Sequence, residues 1–287
     1  MREVCLRLGR ACDNSLGSMR ALILSDIHGN LEALEAVLAA ADGLWDELWN
    51  LGDMVGYGGS PNQVIDRLRP LAAVHVRGNH DRVCCGLTST NAFNPVARTA
   101  ALWTRGELTP ENAAWLAAMP QGPIVAAEGV ASCAHGSPMN EDEYLLTMRD
   151  AWTPLEQMST PITFFGHTHV QGGFERNGNA WHEIRPAFSP VGNGNGNGNG
   201  NGQGRGRLVT ETQSVRQEFD RASRVLINPG SVGQPRDFDW RAAFAVFDSE
   251  QNAVTFFRVP YDLVASQGRI LLANLPERLA TRLREGR

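Results

Sequence analysis

Phe164-Phe165-Gly166-His167-Thr168-His169 is the stretch around which the chain is organised. An apolar strand runs into a glycine, and two histidines follow with one residue between them. In extended backbone, side chains at i and i+2 point to the same side. The two imidazoles can therefore face one point, or two points a few ångströms apart. Four other segments end in the same way. Ala21-Leu22-Ile23-Leu24 meets Ser25-Asp26-Ile27-His28, and Glu47-Leu48-Trp49-Asn50-Leu51 meets Gly52-Asp53. Ala73-Val74-His75-Val76 meets Arg77-Gly78-Asn79-His80-Asp81, and Val130-Ala131-Ser132-Cys133-Ala134 meets His135-Gly136. In an open α/β sheet, ligands bind beyond the carboxyl ends of the strands. Five strands finishing in Asp, His or Asn predict an α/β fold with a two-metal centre at that edge.

Composition sets the outer limits. The 287 residues suffice for one large domain or two small ones, and a net charge of −5 argues against a general nucleic-acid coat or an anionic-membrane binder. A small phosphate-bearing ligand stays admissible, because bound cations would reverse the local field. Five cysteines, an odd number without CxxC spacing, read as reduced intracellular thiols, and no apolar run reaches the length of a membrane span. The expectation is a soluble, cytoplasmic protein with no stable nucleic-acid or membrane partner. Met19 directly precedes the first strand, so residues 1–18 are expected to be a disordered extension or start-site artefact, and 19–287 the folded unit.

Along the chain, Leu31, Leu34, Val37 and Leu38 recur at helical spacing, with Asn30 placed to cap them. Pro61 suits the first turn of a second helix. Residues 92–118 read as two helices broken near Gly106 and Pro110, with Trp103 and Trp115 as core residues. Strands near 123–127 and 130–134 flank a turn at Gly129, and a helix is expected over about 141–158. The Asn-Gly alternation at about 191–206 cannot bury a core and predicts a flexible surface insertion, continued by a polar segment to about Ala222. Strands resume at Val225-Leu226-Ile227, Ala243–Phe247 and Val254–Val259, before a C-terminal helix from about Asp262.

The donors at the strand ends are carboxylate, imidazole and amide oxygen, which suit hard first-row ions. Two such ions about 3.5–4 Å apart need a bridging carboxylate, and a water between them would deprotonate near neutral pH. His80 follows a candidate ligand directly; with Asp81 to orient it, it fits a general acid for the leaving oxygen. Arg77 and Arg236 are candidate cations for the substrate phosphate, with structural ion pairs as the alternative. Gly230 to Gly233 reads either as a nest of amides or as a plain turn. Tyr57 and Asn94 are pocket-lining candidates, His75 a packing histidine and His182 an exposed one.

In this order, Asp26-Ile27-His28, Gly52-Asp53, Gly78-Asn79-His80-Asp81, His135 and Gly166-His167-Thr168-His169 resemble the calcineurin-like metallophosphoesterase superfamily. Asp26-Ile27-His28-Gly29-Asn30, Val55-Gly56-Tyr57-Gly58 and Asn228-Pro229-Gly230-Ser231-Val232-Gly233-Gln234-Pro235-Arg236 are similar to a bacterial subgroup labelled phosphodiesterase or related to diadenosine tetraphosphatase. The resemblance implies a four-layer α/β/β/α sandwich. It also implies that Asp26, His28 and His169 hold one metal and Asn79, His135 and His167 the other, with Asp53 bridging. Manganese is the first expectation; iron, nickel, cobalt or zinc are the others. The implied activity is hydrolysis of a phosphodiester or phosphoanhydride in a small nucleotide-type substrate. A serine/threonine phosphoprotein phosphatase and an inactive scaffold of the same fold are the rivals.

Overall fold

The computed structural model describes residues 18–188 and 210–287. The expected extension at 1–18, Ser18 apart, and the expected insertion at 191–206 lie outside the described residues.

The chain opens with β1 (Arg20–Leu24), α1 (Leu31–Ala40), β2 (Glu47–Asn50), α2 (Pro61–Leu68), β3 (Ala72–His75) and α3 (Asn79–Cys84). The Asn30 side chain accepts from the Ala33 amide at the start of α1, and Pro61 begins α2. There follow α4 (Pro95–Glu107), α5 (Pro110–Ala118), β4 (Ile124–Ala126), β5 (Ala131–Cys133), α6 (Met148–Gln157) and β6 (Ile162–Phe164). The hairpin β7 (Gly172–Asn177) and β8 (Ala180–Ile184) comes next. The chain closes with β9 (Gln213–Glu218), β10 (Arg224–Asn228), β11 (Ala242–Asp248), β12 (Ala253–Val259), α7 (Leu263–Leu272) and α8 (Glu277–Glu285).

The strands form two six-stranded sheets, ordered β3-β2-β1-β11-β12-β9 and β4-β5-β6-β10-β7-β8. Both faces of β1 are covered, which is why it reads as a continuous apolar run. Leu22 and Leu24 pack toward α1, α2 and the C-terminal helices, whereas Ala21 and Ile23 meet Trp49, Phe164, Ile227, Phe247 and Phe256 between the sheets. On the far side of the second sheet, Ala151 and Leu155 of α6 pack on Phe174 and Leu226. The result is the expected four-layer α/β/β/α sandwich. Strands β1, β2 and β3 run parallel, as do β5, β6 and β10, so their carboxyl ends gather the loops of the candidate site at one edge.

Several local expectations are corrected. The 141–158 segment is helical only from Met148, where Thr147 and Asp150 form a capping box; residues 141–147 are non-helical. The polar segment before Ala222 contains β9, an edge strand paired antiparallel with β12. The C-terminal helix is two helices, separated at Asn274-Leu275-Pro276. Proline cannot continue the first helix, and its fixed φ suits entry to the second. Finally, β3 stops at His75, and Asn79 begins α3 rather than ending a strand. Among the described residues, no helix is long and apolar enough to cross a membrane.

Candidate metal centre

Four loops, after β1, β2, β5 and β6, converge at the sheet edge and bring Asp26, His28, Asp53, His135, His167 and His169 together, none more than 5% exposed. They fall into two groups. Asp26, His28, Asp53 and His169 form one, Asp53, His135 and His167 the other, each with ligand atoms within 4.8 Å of one another. Asp53 belongs to both. Its Oδ2 lies 3.7 Å from His28 Nε2 and 3.5 Å from His135 Nε2. Asn79 joins the second group, with its Oδ1 3.1 Å from His135 Nε2.

The backbone that presents these groups is bent out of its ordinary range. Asp26, His28, Asp53, His167 and His169 have φ between 50° and 67°. A non-glycine residue in this region costs of order 1–3 kcal/mol, and such strain collects at functional sites. At His167 and His169 it also revises the route by which the pair reaches the centre. The two histidines are not on extended backbone, and they serve different groups.

Hydrogen bonds between loops hold the strained conformations. Asp26 and His28 donate their amides to the Gly52 and Asp53 carbonyls at 3.0 and 2.9 Å, and Gly166 donates to His135 at 2.7 Å. From the loop after β10, the amides of Val232 and Gly233 donate to the Ser25 and Asp26 carbonyls at 3.0 Å each. Those amides are consumed, so the turn reading of Gly230–Gly233 stands over the anion nest. The packing is close enough to require glycine. A Cβ on Gly233 would lie 1.8 Å from the Ile27 carbonyl oxygen, and one on Gly78 would lie 2.1 Å from Asp53 Oδ1.

The donor set fits a cation. His28 Nδ1 lies 3.0 Å from the Val55 carbonyl, and His169 Nδ1 2.6 Å from that of Gln234. A carbonyl only accepts, so each ring carries its proton on Nδ1 and turns a bare Nε2 inward. Burial holds both rings below the usual histidine range, hence neutral. Their Nε2 atoms are 3.1 Å apart, and Asp26 Oδ1 lies 3.3 Å from His169 Nε2 with no hydrogen-bond partner. Three buried acceptors facing one point lack a proton to share, and a metal ion satisfies all three.

His135 behaves differently. Burial pulls its pKa down, but the neighbouring Asp53 and Asp26 carboxylates prevail and hold it up at about 10. Without metal at pH 7 the ring is an imidazolium, and its Nε2 must lose a proton to become a ligand. Metal titration of chelator-stripped protein should therefore release about one proton at this residue, and affinity should rise from pH 6 to pH 8. Calorimetry in two buffers of different ionisation enthalpy reads the proton directly. Identical heats in both would remove His135 from the ligand set.

Asp81 does not orient His80. Its Oδ2 accepts from the Asp53 and Gly78 amides at 2.8 and 3.0 Å, and its Oδ1 from Met54 and Val55 at 2.9 and 3.2 Å. Burial and the Asp53 charge push its pKa up to about 7, while the amides of Gly78 and Val55 pull it down. With four amides donating to it, Asp81 positions the Asp53 loop rather than touching substrate. In Asp81→Asn one oxygen becomes a donor facing donors, which should lower unfolding free energy by about 2–4 kcal/mol. Urea denaturation checks this; an unchanged midpoint would mean the loop is held elsewhere.

His80 is buried, its Nδ1 without a hydrogen-bond partner, and its ring lies 4.4 Å from Tyr57 and 4.5 Å from Phe93. It lines a cavity of about 500 Å³ together with Tyr57, Asn79, Asn94, Tyr144 and His167. The two arginines part company. Arg236 reaches the site, its amide on the His169 carbonyl and its guanidinium over Tyr57. Arg77 shows no contact with the ligands; its amide bonds Pro120 and its charge acts on Cys85. His75 packs edge-on against Trp115, and His182 is exposed on β8. Missed from the sequence were Tyr144, which stacks on His167 at 4.0 Å, and Arg82, which lines the cavity but is paired with Glu141 and Asp142. Tyr144 lies in a stretch read as helix, where nothing aims it at a site, and Arg82 carries no motif beyond following Asp81.

Comparison with known proteins agrees with this geometry. The profile of the family described as calcineurin-like phosphoesterase matches residues 19–190. The uncharacterized protein MJ0912 of Methanocaldococcus jannaschii is 31% identical over 270 residues, covering 92% of this chain and 97% of that protein. Among solved structures, a metallophosphoesterase from Sphaerobacter thermophilus is 36% identical, with a TM-score of 0.73, over 94% of this chain and 100% of that one. The hypothetical protein PH1004 from Pyrococcus horikoshii, 18% identical over 93% of this chain and 98% of that one, shares the fold with a TM-score of 0.68. A buried cluster able to hold metal, on this sandwich and within these matches, makes the chain a member of the calcineurin-like phosphoesterases, a metal-dependent phosphoesterase.

Proposed function

We propose that the protein is a two-metal hydrolase of phosphodiester or phosphoanhydride bonds in a small nucleotide-type substrate. The observation that carries this reading is the membership of Asp53 in both ligand groups. Asp26, His28 and His169 would hold one ion and Asn79, His135 and His167 the other, with Asp53 shared. Manganese is the first expectation for an oxygen- and nitrogen-donor set without thiolate. When bound, the ions supply a nucleophile near neutral pH and offset charge on the phosphoryl oxygens.

The chain's own groups do the rest. Asp81 fixes the loop that aims Asp53, and the backbone carbonyls of Val55, Gln234 and Leu51 fix three imidazoles in orientation. His80, in the cavity wall, would hydrogen-bond the leaving oxygen. Tyr57, Phe93 and Tyr144 give the cavity aromatic walls of the kind on which a nucleobase stacks. A small concave pocket of this size favours a compact substrate over a protein surface. Unpaired Cys84, Cys85 and Cys133 support a reducing, cytoplasmic setting.

The test is hydrolysis by metal-reconstituted enzyme of bis(p-nitrophenyl) phosphate, p-nitrophenyl phosphate, diadenosine tetraphosphate and a phosphopeptide, side by side. The diester and the tetraphosphate should be the best substrates by kcat/KM. A phosphopeptide turned over fastest would move the protein to the phosphoprotein phosphatases, and no turnover of any would leave a scaffold.

A further inference from the structure

Two guanidinium groups lie near the Tyr57 ring. Arg236, in the loop after β10, has its Cζ 6.0 Å from the ring centroid, and Arg282, on α8, has its Cζ 5.9 Å from it. The two segments are joined, because the Phe238 amide donates to the Gly286 carbonyl at 2.9 Å. Arg236 makes no ion pair with a carboxylate among the described residues. Arg236 spends one nitrogen on the Gln234 side chain at 3.1 Å, and its buried Nε bonds nothing. Arg282 donates its Nε to an oxygen of Arg287, the last residue of the sequence, which anchors one edge of the guanidinium and leaves its two terminal nitrogens without a hydrogen bond among the described residues.

Three other arginines withdrawn from solvent are neutralised: Arg82 by Glu141 and Asp142, Arg241 by Asp239, and Arg258 by Asp237. Two like charges sharing one aromatic ring are unfavourable unless an anion joins them. Burial, and after it the Arg236 charge, pushes the pKa of Arg282 down to about 10. The ring they lie near is 4.8 Å from His28 and 4.4 Å from His80, so an anion held there would sit beside the reacting phosphate.

We propose that Arg236 and Arg282, beside Tyr57, form a second phosphate subsite, which takes the non-reacting phosphate of a substrate carrying two or more phosphates in a row. This rests on the phosphoesterase reading of the metal centre and narrows it to phosphoanhydride-bearing nucleotides. Guanidinium suits the task, since its planar donors match a phosphate face. The subsite is assembled from a loop and the last helix, so it selects substrate without altering the metal ligands.

The test compares two ligands that differ by one phosphate. Calorimetry on metal-loaded protein measures the Kd of AMP and of the non-hydrolysable methylene analogue of ADP. The wild type should bind the diphosphate at least tenfold more tightly. Arg282→Ala should bind the two alike, with AMP affinity changed less than twofold, and Arg282→Lys should restore part of the difference. Both variants should keep the wild-type circular-dichroism spectrum and metal content, which shows that they fold. A wild type that binds both ligands alike, or neither, overturns the subsite, as does an Arg282→Ala variant that keeps the full preference. A wild type inert toward bis(p-nitrophenyl) phosphate would reject the phosphodiesterase reading instead, whatever the binding shows.

Discussion

Asp53→Asn should lose metal and activity together while the protein stays folded. The carboxylate has two separate jobs. Its Oδ1 accepts the His80 amide at 2.8 Å, and its Oδ2 faces His28 and His135 from between the two ligand groups. An asparagine keeps a carbonyl oxygen for the His80 amide, so the loop persists. At the Oδ2 position it offers a neutral amide, and the charge that offsets two cations disappears. At about 4 Å and an effective dielectric of 20, each unit-charge pair is worth about 4 kcal/mol, so divalent ions there are strongly opposed. The loss of metal affinity should exceed the roughly 10–100-fold typical of removing an outer-shell partner. kcat/KM should fall by on the order of 10³, the upper end for losing one electrostatic stabiliser of the transition state. Elemental analysis after gel filtration, paired with diester kinetics at fixed free metal, checks both. Two tightly held ions per variant chain would show that Asp53 is not the bridge.

The residues of the buried Asp/His cluster were legible because each follows an apolar run, and residue type alone names them as candidate donors. What the sequence could not display was the backbone that aims them. Asp26, His28, Asp53, His167 and His169 all occupy left-handed conformations that their own propensities disfavour, and contacts between loops distant in sequence impose them. Asp81 was misjudged for the same reason. Adjacent to His80 in sequence, it points away to four amides, three of them on the Asp53 loop. Asn79 looked like a strand end because Gly78 hides a helix start; the glycine is there for its close approach to Asp53.

Elements without a clear apolar period were the ones lost. β9 presents Gln, Ser, Arg and Glu at an edge, where one side of the strand needs no partner. The β7–β8 hairpin carried a readable signal, Gly178-Asn179 between two strands, that a reading by composition passes over. The split of the C-terminal helix at Pro276 matters more, since α8 brings Arg282 to the Tyr57 ring. A residue about 225 positions from Tyr57 reaches it only through the fold.

His80→Ala should separate chemistry from metal binding. The ring is buried and lies outside both ligand groups, so the variant should keep its ions and its fold. If His80 protonates the leaving oxygen, the penalty must follow the leaving group's basicity. A nucleoside or alkoxide leaving group should lose on the order of 10²–10⁴ in kcat, the range for general acid–base catalysis. A p-nitrophenolate leaves without a proton and should lose far less. Protonation is the demanding part: burial, reinforced by Arg236, drives His80 down to about 4 against the pull of Asp53. A bound phosphate anion in the same cavity favours the imidazolium and raises that value. A general acid works only while protonated, so the rate falls as pH rises through its pKa. The fall governed by His80 should therefore come at higher pH in kcat, which reports the complex, than in kcat/KM, which reports the free enzyme. Both should vanish in His80→Ala. The comparison needs chemistry to limit turnover, so the absence of a pre-steady-state burst is established first. Equal losses on both leaving groups with metals intact would make His80 a phosphate-positioning residue, and a variant stripped of metal would make it a ligand.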